Sequence, residues 1–136
     1  MNFTEIADKV KRLNFSAGKY ALFGSVPLAA YGIRDAKDID IIVIPEFYNE
    51  LKKTENWREE ISPRGNKMLI RGDIEIYSEW NFGSYNPSVR KLIDEARSID
   101  GVPVVELEEV RKWKMAFGRR KDQNDVRLIE KARGKG

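Results

Sequence analysis

The residues best suited to chemistry are two aspartates that one isoleucine separates, in the run Asp38-Ile39-Asp40-Ile41. Alternate side chains of a β-strand project to the same face, so both carboxylates share one face while Ile39 and Ile41 point into the core. Two like charges this close repel each other, and a divalent cation relieves the repulsion. Magnesium takes one or two carboxylates and completes its shell with water and substrate phosphate. The pair therefore predicts a site for Mg²⁺ (or Mn²⁺).

A glycine–serine turn, Gly24-Ser25, precedes this pair by a gap of twelve residues. It follows the apolar segment Tyr20–Phe23, and Pro27 is well suited to the first turn of a helix. Glycine lets backbone amides approach a phosphate, and a helix N-terminus adds free N–H groups and a favourable dipole. Alone, such a turn is usually structural, and an Asp-x-Asp run often just faces water. The combination at this spacing favours a triphosphate site beside a metal site.

Composition restricts the chemistry further, because the 136 residues include no cysteine and no histidine. Their absence excludes disulfides, thiolate zinc sites, cysteine nucleophiles, serine–histidine triads and histidine metal sites. Catalysis must then use carboxylates, lysine, arginine, hydroxyls, backbone groups or a metal with oxygen ligands. We see no secretory signal and no apolar run of membrane-spanning length, so we expect a cytoplasmic protein without a membrane partner.

The net charge is only +3, but basic residues concentrate between Arg111 and Lys135. Such a segment can meet phosphates, or it can form the solvated side of an amphipathic helix. On charge alone, the solvated helix is the better interpretation.

The pattern of apolar residues and breakers predicts one mixed α/β (α+β) domain over residues 1–136, with a mixed β-sheet flanked by helices and with C-terminal helices. The residues after Arg133 are expected to fray. The predicted strands are 20–23, 37–44, 102–105 and a hairpin of 67–70 with 74–78. The predicted helices are about 3–13, 27–31, 46–53, 86–98, 107–116 and 122–132.

Gly24-Ser25, the twelve-residue gap and Asp38-Ile39-Asp40-Ile41 resemble the signature of the nucleotidyltransferase superfamily with a DNA-polymerase-beta-like palm. The segment from Ala29 to Asp38 is similar to one branch, the abortive-infection-type nucleotidyltransferase toxins and related uncharacterised proteins. Val102–Val110 resembles that branch's later strand and helix start.

Lys114 and the segment Arg119–Asp125 resemble the lysine and the basic-Lys-Asp signature of the same branch. The resemblance covers residues from about 18 to 132, and residues 46–66 contribute little to it. It implies a palm-type sheet and the in-line transfer of a nucleoside monophosphate from a triphosphate to a hydroxyl acceptor.

The resemblance assigns Asp38 and Asp40 to the metal and to catalysis, and it implies a third carboxylate on a neighbouring strand. We assign that role to Glu75, which lies mid-strand between apolar residues, rather than to Asp73 at the hairpin turn. Relatives commonly have aspartate there, and they often have a hydroxyl residue where this chain has Ala36. An equally supported alternative makes Glu75 an exposed strand residue opposite a lysine.

The resemblance also implies nucleotide-binding roles. Lys114 and one of two arginines, which the sequence does not distinguish, would neutralise the triphosphate tail, while Lys121 and Asp122 would instead form a structural salt bridge, an interpretation we prefer for Asp122. Most aromatic residues are expected in the core or at an interface, and Tyr77 and Trp80 are the best candidates to stack on a nucleobase. The predicted nucleotide-binding residues are Gly24, Ser25, Arg34, Lys114, Arg119 and Arg120.

Three functions remain open at this point. The first is a metal-dependent nucleotidyltransferase acting on RNA or tRNA, a protein or a small molecule, as a candidate toxin–antitoxin component with an antitoxin partner or as a homodimer. The second is a non-catalytic nucleotide-binding module of regulatory or antitoxin type, which the small size and the changes at Glu75 and Ala36 support. A plain basic nucleic-acid-binding domain has the weakest support, because the positive charge is modest.

Overall fold

A computed structural model describes residues 1–134, which form six helices and one seven-stranded sheet. The strands are β1 (Tyr20–Phe23), β2 (Ile39–Val43), β3 (Arg58–Ile61), β4 (Lys67–Arg71), β5 (Ile74–Tyr77), β6 (Arg97–Ile99) and β7 (Val102–Val104). The helices are α1 (Phe3–Lys11), α2 (Val26–Ala30), α3 (Pro45–Lys52), α4 (Val89–Asp94), α5 (Leu107–Phe117) and α6 (Arg120–Gly134). The predicted fold class, a mixed sheet flanked by helices with C-terminal helices, is confirmed.

The strand order is β3-β4-β5-β2-β1-β7-β6, so β2 lies at the centre of the sheet. It runs parallel to β5 on one side and antiparallel to β1 on the other. The pair β1–β7 is also parallel, and the remaining pairs are antiparallel. This order places Asp40 between Phe23 of β1 and Glu75 of β5.

Apart from Asp40 and Glu75, the strands β1, β2 and β5 are hydrophobic, because both faces of the sheet are covered. On one face, Ile41 packs in a core with Ile6 of α1. On the other face, Ile42 belongs to a core that includes Leu92 of α4 and Trp113 of α5. Asp40 shares a face with Ile42, since their positions differ by two. The α4–α5 side of the sheet therefore carries the candidate chemistry.

Local sequence signals specify the ends of two helices as expected. Asn2 caps α1 through the predicted capping box, in which its side chain accepts from the Glu5 amide while the Glu5 side chain accepts from the Asn2 amide. Helix α5 ends at Gly118, whose φ of +71° is the left-handed conformation that favours glycine.

The predicted helix from Asn86 to about Ser98 is too long at both ends, since helix α4 begins only at Val89. Helix α4 ends at Asp94, and the residues that follow form β6. A two-residue turn at Asp100 and Gly101, both with positive φ, joins β6 to β7, and this geometry suits a tight hairpin. Pairing with β7 therefore outweighs the local helical pattern.

Strand β3 was not predicted, because its residues do not alternate between apolar and polar. It lies at the edge of the sheet, and its side chains are mostly charged and exposed. Charged side chains are common on edge strands, where they discourage pairing with other chains.

Fraying is predicted for the residues after Arg133. Helix α6 continues to Gly134, and Lys135 and Gly136 lie outside the described residues. None of the helices within residues 1–134 has both the length and the apolar character that crossing a bilayer requires.

Candidate active site

The three predicted carboxylates come together at one cavity of about 330 Å³. Asp40 and Glu75 are direct neighbours on the parallel strands β2 and β5, and both are half-buried. Asp38 is exposed and precedes β2 by one residue, at the position that shares a face with Asp40. This volume lies within the usual range of small-molecule sites. Strands β2 and β5 and the residue before β2 therefore supply all the acidic side chains that the sequence assigned to catalysis.

Glu75, rather than Asp73, is the third carboxylate at this cavity. The alternative that placed Glu75 opposite a lysine is wrong, because its antiparallel neighbour on β4 is Ile70. The phenol of Tyr77 donates a hydrogen bond of 2.6 Å to Oε1 of Glu75, which orients the carboxylate. Asp73 instead accepts a hydrogen bond of 2.7 Å from Nζ of Lys9 and does not line the cavity.

The turn after β1 lies directly against the Asp40 carboxylate. Gly24 has a φ of +62°, and a Cβ atom added there would lie 2.1 Å from Oδ2 of Asp40. Only glycine allows this approach, on account of both its backbone conformation and its missing side chain. Ser25 lines the cavity but Gly24 does not. Gly24 therefore makes room for Asp40, which differs from the predicted contact with phosphate.

Helix α2, which follows this turn, has only five residues. So short a helix supplies a small dipole, and the sequence-based argument from a helix N-terminus is correspondingly weak. The Ser25 side chain does not cap α2; its Oγ accepts a hydrogen bond of 3.0 Å from Nη2 of Arg34. Because Oγ acts as the acceptor there, the Ser25 hydroxyl hydrogen remains available to a ligand.

Two of the predicted nucleotide-binding cations, Lys114 and Arg34, form ion pairs with buried aspartates of α6. Lys114 is 3% exposed, and its Nζ lies 2.9 Å from Oδ2 of Asp125 and 3.5 Å from Oδ1 of Asp122. Arg34 binds Asp125 in a bidentate manner, with both distances 2.8 Å. Burial alone would raise the pKa of the Asp125 carboxyl, but hydrogen bonds from Arg34 and Lys114 outweigh burial and lower it. Asp125 is therefore an ionised anchor.

Asp122 has the structural role that the sequence favoured, but with different partners. It is fully buried and accepts hydrogen bonds from Nε and Nη2 of Arg119, at 2.6 and 3.1 Å. The predicted pairing with Lys121 does not form; Lys121 is exposed and lines the cavity. Between the two arginines that the sequence left open, Arg119 lines the cavity, whereas Arg120 is exposed and does not.

Sequence reasoning missed Arg64, which lies in the loop between β3 and β4. Its guanidinium carbon is 4.2 Å from the ring centre of Trp80, 5.1 Å from that of Tyr77 and 5.7 Å from that of Trp113. Trp80 and Tyr77 are 1% and 2% exposed, so they are not open platforms, and the proposed stacking of a nucleobase on them is wrong for this conformation. The sequence shows a turn at Pro63-Arg64-Gly65. Its position next to the cavity could not be predicted, because β3, the strand before it, was not recognised.

The carboxyl of Asp40 has a strongly raised pKa. Burial, and then the negative charges of Glu75 and Asp38, raise its pKa from the ordinary 3.8 to about 7, against the opposing charges of Arg64 and Lys114. A divalent cation would relieve this repulsion.

No group of three or more acidic side chains within residues 1–134 is arranged to hold a metal ion by itself. Magnesium commonly takes only one or two carboxylates and shares the rest of its shell with water and phosphate. The adjacent Asp40 and Glu75, with Asp38 nearby, therefore fit a magnesium ion that a polyphosphate also holds.

Comparisons with protein-family models, with curated proteins and with solved structures gave no match for this chain. The nucleotidyltransferase resemblance consequently depends on the motif residues and on their arrangement at this cavity.

Replacing Gly24 by alanine tests the close approach to Asp40. Gly32→Ala is the matched control, because Gly32 also has a left-handed φ (+72°) but has open space around it. We expect Gly24→Ala to lower the free energy of unfolding by about 1 to 3 kcal/mol more than Gly32→Ala, the usual cost of overpacking. Urea denaturation measures both, and the excess should shrink when Asp40 is also alanine. Equal costs for the two variants would contradict the contact.

Replacing Asp40 by asparagine tests the raised pKa. The folded-state pKa, about 7, exceeds the ordinary 3.8, so the folded protein binds more protons between these values and loses stability as pH rises through them. Without divalent cations, Asp40→Asn should therefore raise the free energy of unfolding at pH 8 by about 1 to 3 kcal/mol, below the ceiling of about 4 that the full shift implies.

This gain should vanish near pH 4, and urea titrations at the two pH values with a chelator measure it. Asp94→Asn, at an exposed site on α4, is the matched control and should change little. An Asp40→Asn protein that is less stable than wild type at pH 8 would contradict the raised pKa of Asp40.

Proposed function

We propose that this chain is a metal-dependent nucleotidyltransferase that moves a nucleoside monophosphate from a nucleoside triphosphate to a hydroxyl acceptor. One observation carries the proposal: Asp38, Asp40 and Glu75 meet at a cavity whose other walls bring basic side chains. Carboxylates suit the metal end of a metal–triphosphate complex, and arginine and lysine suit its phosphates. Few other ligands need both charges within one small cavity.

In this proposal Asp38 and Asp40 hold Mg²⁺ (or Mn²⁺) together with the phosphates. Bound metal supplies neutralisation of phosphate charge and a lower pKa for the attacking hydroxyl. Glu75 either completes the metal site or accepts the proton of the attacking hydroxyl, and Tyr77 keeps its carboxylate in place. Ser25 donates its free hydroxyl hydrogen to a phosphate oxygen.

The paired cations Arg34, Lys114 and Arg119 contribute positive potential from fixed positions. Their side chains are already ordered by Asp122 and Asp125, so less side-chain entropy is lost when a ligand binds. Preorganised charge of this kind stabilises charge that develops on phosphate in a transition state.

The acceptor that we would test first is RNA, and tRNA in particular, followed by a protein hydroxyl and a small molecule. The resemblance to abortive-infection-type toxins motivates this order and makes the chain a candidate toxin–antitoxin component. A homodimer or an antitoxin partner would supply the acceptor surface in this proposal, and we place the reaction in the cytoplasm.

A second candidate is a non-catalytic nucleotide-binding module of regulatory or antitoxin type. The ion pairs favour this candidate, because Asp122 and Asp125 neutralise much of the positive charge of Lys114 and Arg119.

Transfer of label separates the two candidates. The chain would be incubated with each of the four α-³²P-labelled triphosphates, magnesium and total RNA, and RNA and protein would then be resolved on gels. We expect label in one acceptor, and a loss of at least about 100-fold in Glu75→Gln, the usual scale for a general base. Asp38→Asn should also abolish transfer, whereas Asp94→Asn should not.

Melting temperature interprets a negative result. If no acceptor is labelled but triphosphate with magnesium still raises the melting temperature, the non-catalytic module replaces the enzyme. If triphosphate produces no thermal shift either, both candidates are wrong.

A further inference from the structure

Five basic side chains line the cavity, and three of them are already paired with aspartates. Arg34, Lys114 and Arg119 each contact Asp122 or Asp125. Within residues 1–134, the other two form no ion pair and no hydrogen bond through their side chains. These two are Arg64 and Lys121. The positive charge that is free to meet a ligand therefore does not come from the residues that the sequence favoured.

Arg64 is the better placed of these two cations. It is half-buried, and its guanidinium lies over the Trp80 ring at 4.2 Å, whereas Lys121 is exposed on α6. Stacking on an aromatic face uses the flat side of a guanidinium and leaves its N–H groups, which lie at the edge, free to donate. Arg64 can therefore hold its position and still offer donors to a ligand.

The loop that carries Arg64 is fixed by its own hydrogen bonds. The Ser62 amide donates to the Asn66 carbonyl at 2.8 Å, and the Gly65 amide donates to the Ser62 carbonyl at 2.8 Å. The Asn66 amide also donates to Oγ of Ser62 at 3.2 Å, and Ser62 is 4% exposed. A ligand that binds Arg64 thus meets a side chain whose backbone is already ordered.

Arg64 also lies on the side of the cavity where Glu75 is. Its guanidinium carbon is 5.1 Å from the ring centre of Tyr77, whose phenol donates a hydrogen bond to Glu75. A phosphate group beside the carboxylates would therefore find this guanidinium within electrostatic reach. Arginine suits that task because its planar donors match two phosphate oxygens at once.

We propose that Arg64 binds the polyphosphate of the bound nucleotide, as the main direct cationic contact in place of Lys114 and Arg119. This inference rests on the proposed function, since it deepens the assignment of the same cavity. The paired cations then act through their field and through the shape of the wall, while Arg64 supplies the hydrogen bonds.

Equilibrium binding tests this role without any need for turnover. Isothermal titration calorimetry would measure the Kd of magnesium with a non-hydrolysable triphosphate analogue, and of magnesium with inorganic tripolyphosphate, which has no base or sugar. We expect Arg64→Met to weaken both by about 10- to 100-fold, the usual worth of a charge-assisted hydrogen bond. Arg64→Lys should keep part of the affinity, because it retains the charge but not the bidentate donors.

Arg71→Met is the matched control. Arg71 also lies over a tryptophan, Trp57, at 4.6 Å, but it does not line the cavity. This variant loses the same kind of stacking contact and should bind both ligands as wild type does. Melting temperatures of the two methionine variants show whether the loss at Arg64 comes from damaged folding.

The outcomes separate the two proposals. If wild type binds neither ligand, the proposed function is wrong and the role of Arg64 falls with it. If wild type binds both and Arg64→Met binds as tightly as Arg71→Met, only the role of Arg64 is overturned. A loss in Lys121→Met that exceeds the loss in Arg64→Met would likewise overturn it and assign the contact to Lys121.

Discussion

The constraint on which the site depends is the parallel pairing of β2 with β5, which places the carboxylates of Asp40 and Glu75 side by side at the centre of the sheet. An ionised Asp40 destabilises the fold there, because burial and then the repulsion from Glu75 raise its pKa to about 7. The apolar residues on either side hold the register regardless: Ile39 and Ile41 are fully buried. A shift by one residue would move them to the opposite face, so the cost at the carboxylates is fixed by the core.

The opposing wall of the cavity follows from a second constraint, the burial of two aspartates in α6. A buried carboxylate needs cations close by, and the two aspartates contact Lys114 of α5 and Arg34 of the loop before β2. This network connects α6 to the turn after β1, because Arg34 also donates to Ser25. The basic side chains on this wall of the cavity are therefore ordered and partly neutralised. They have less positive charge and fewer free N–H groups for a ligand than unpaired cations would have.

Much of the fold could be predicted because short-range patterns encode it. Strand β1 matched its predicted range, and the hairpin of β4 and β5 matched within one residue, since runs of apolar residues and a glycine turn mark them. Strands β3 and β6 were missed because they lie at the two edges of the sheet. The residues of an edge strand are largely exposed, so their sequence carries little periodicity. They become strands through hydrogen bonds to the adjacent strand, β4 for β3 and β7 for β6.

The sequence by itself determined that Asp38 and Asp40 share a strand face, that Glu75 is the acidic residue within the neighbouring apolar strand, and that chemistry must proceed without cysteine or histidine. These conclusions need only strand periodicity and residue types. Tertiary structure alone decided which cations are free. Arg34 pairs with Asp125, which is 91 positions away in the sequence. Arg64 lies in the loop after β3, a strand that the sequence did not predict. Charge pairing depends on distance in space, and no local spacing of residues reveals it.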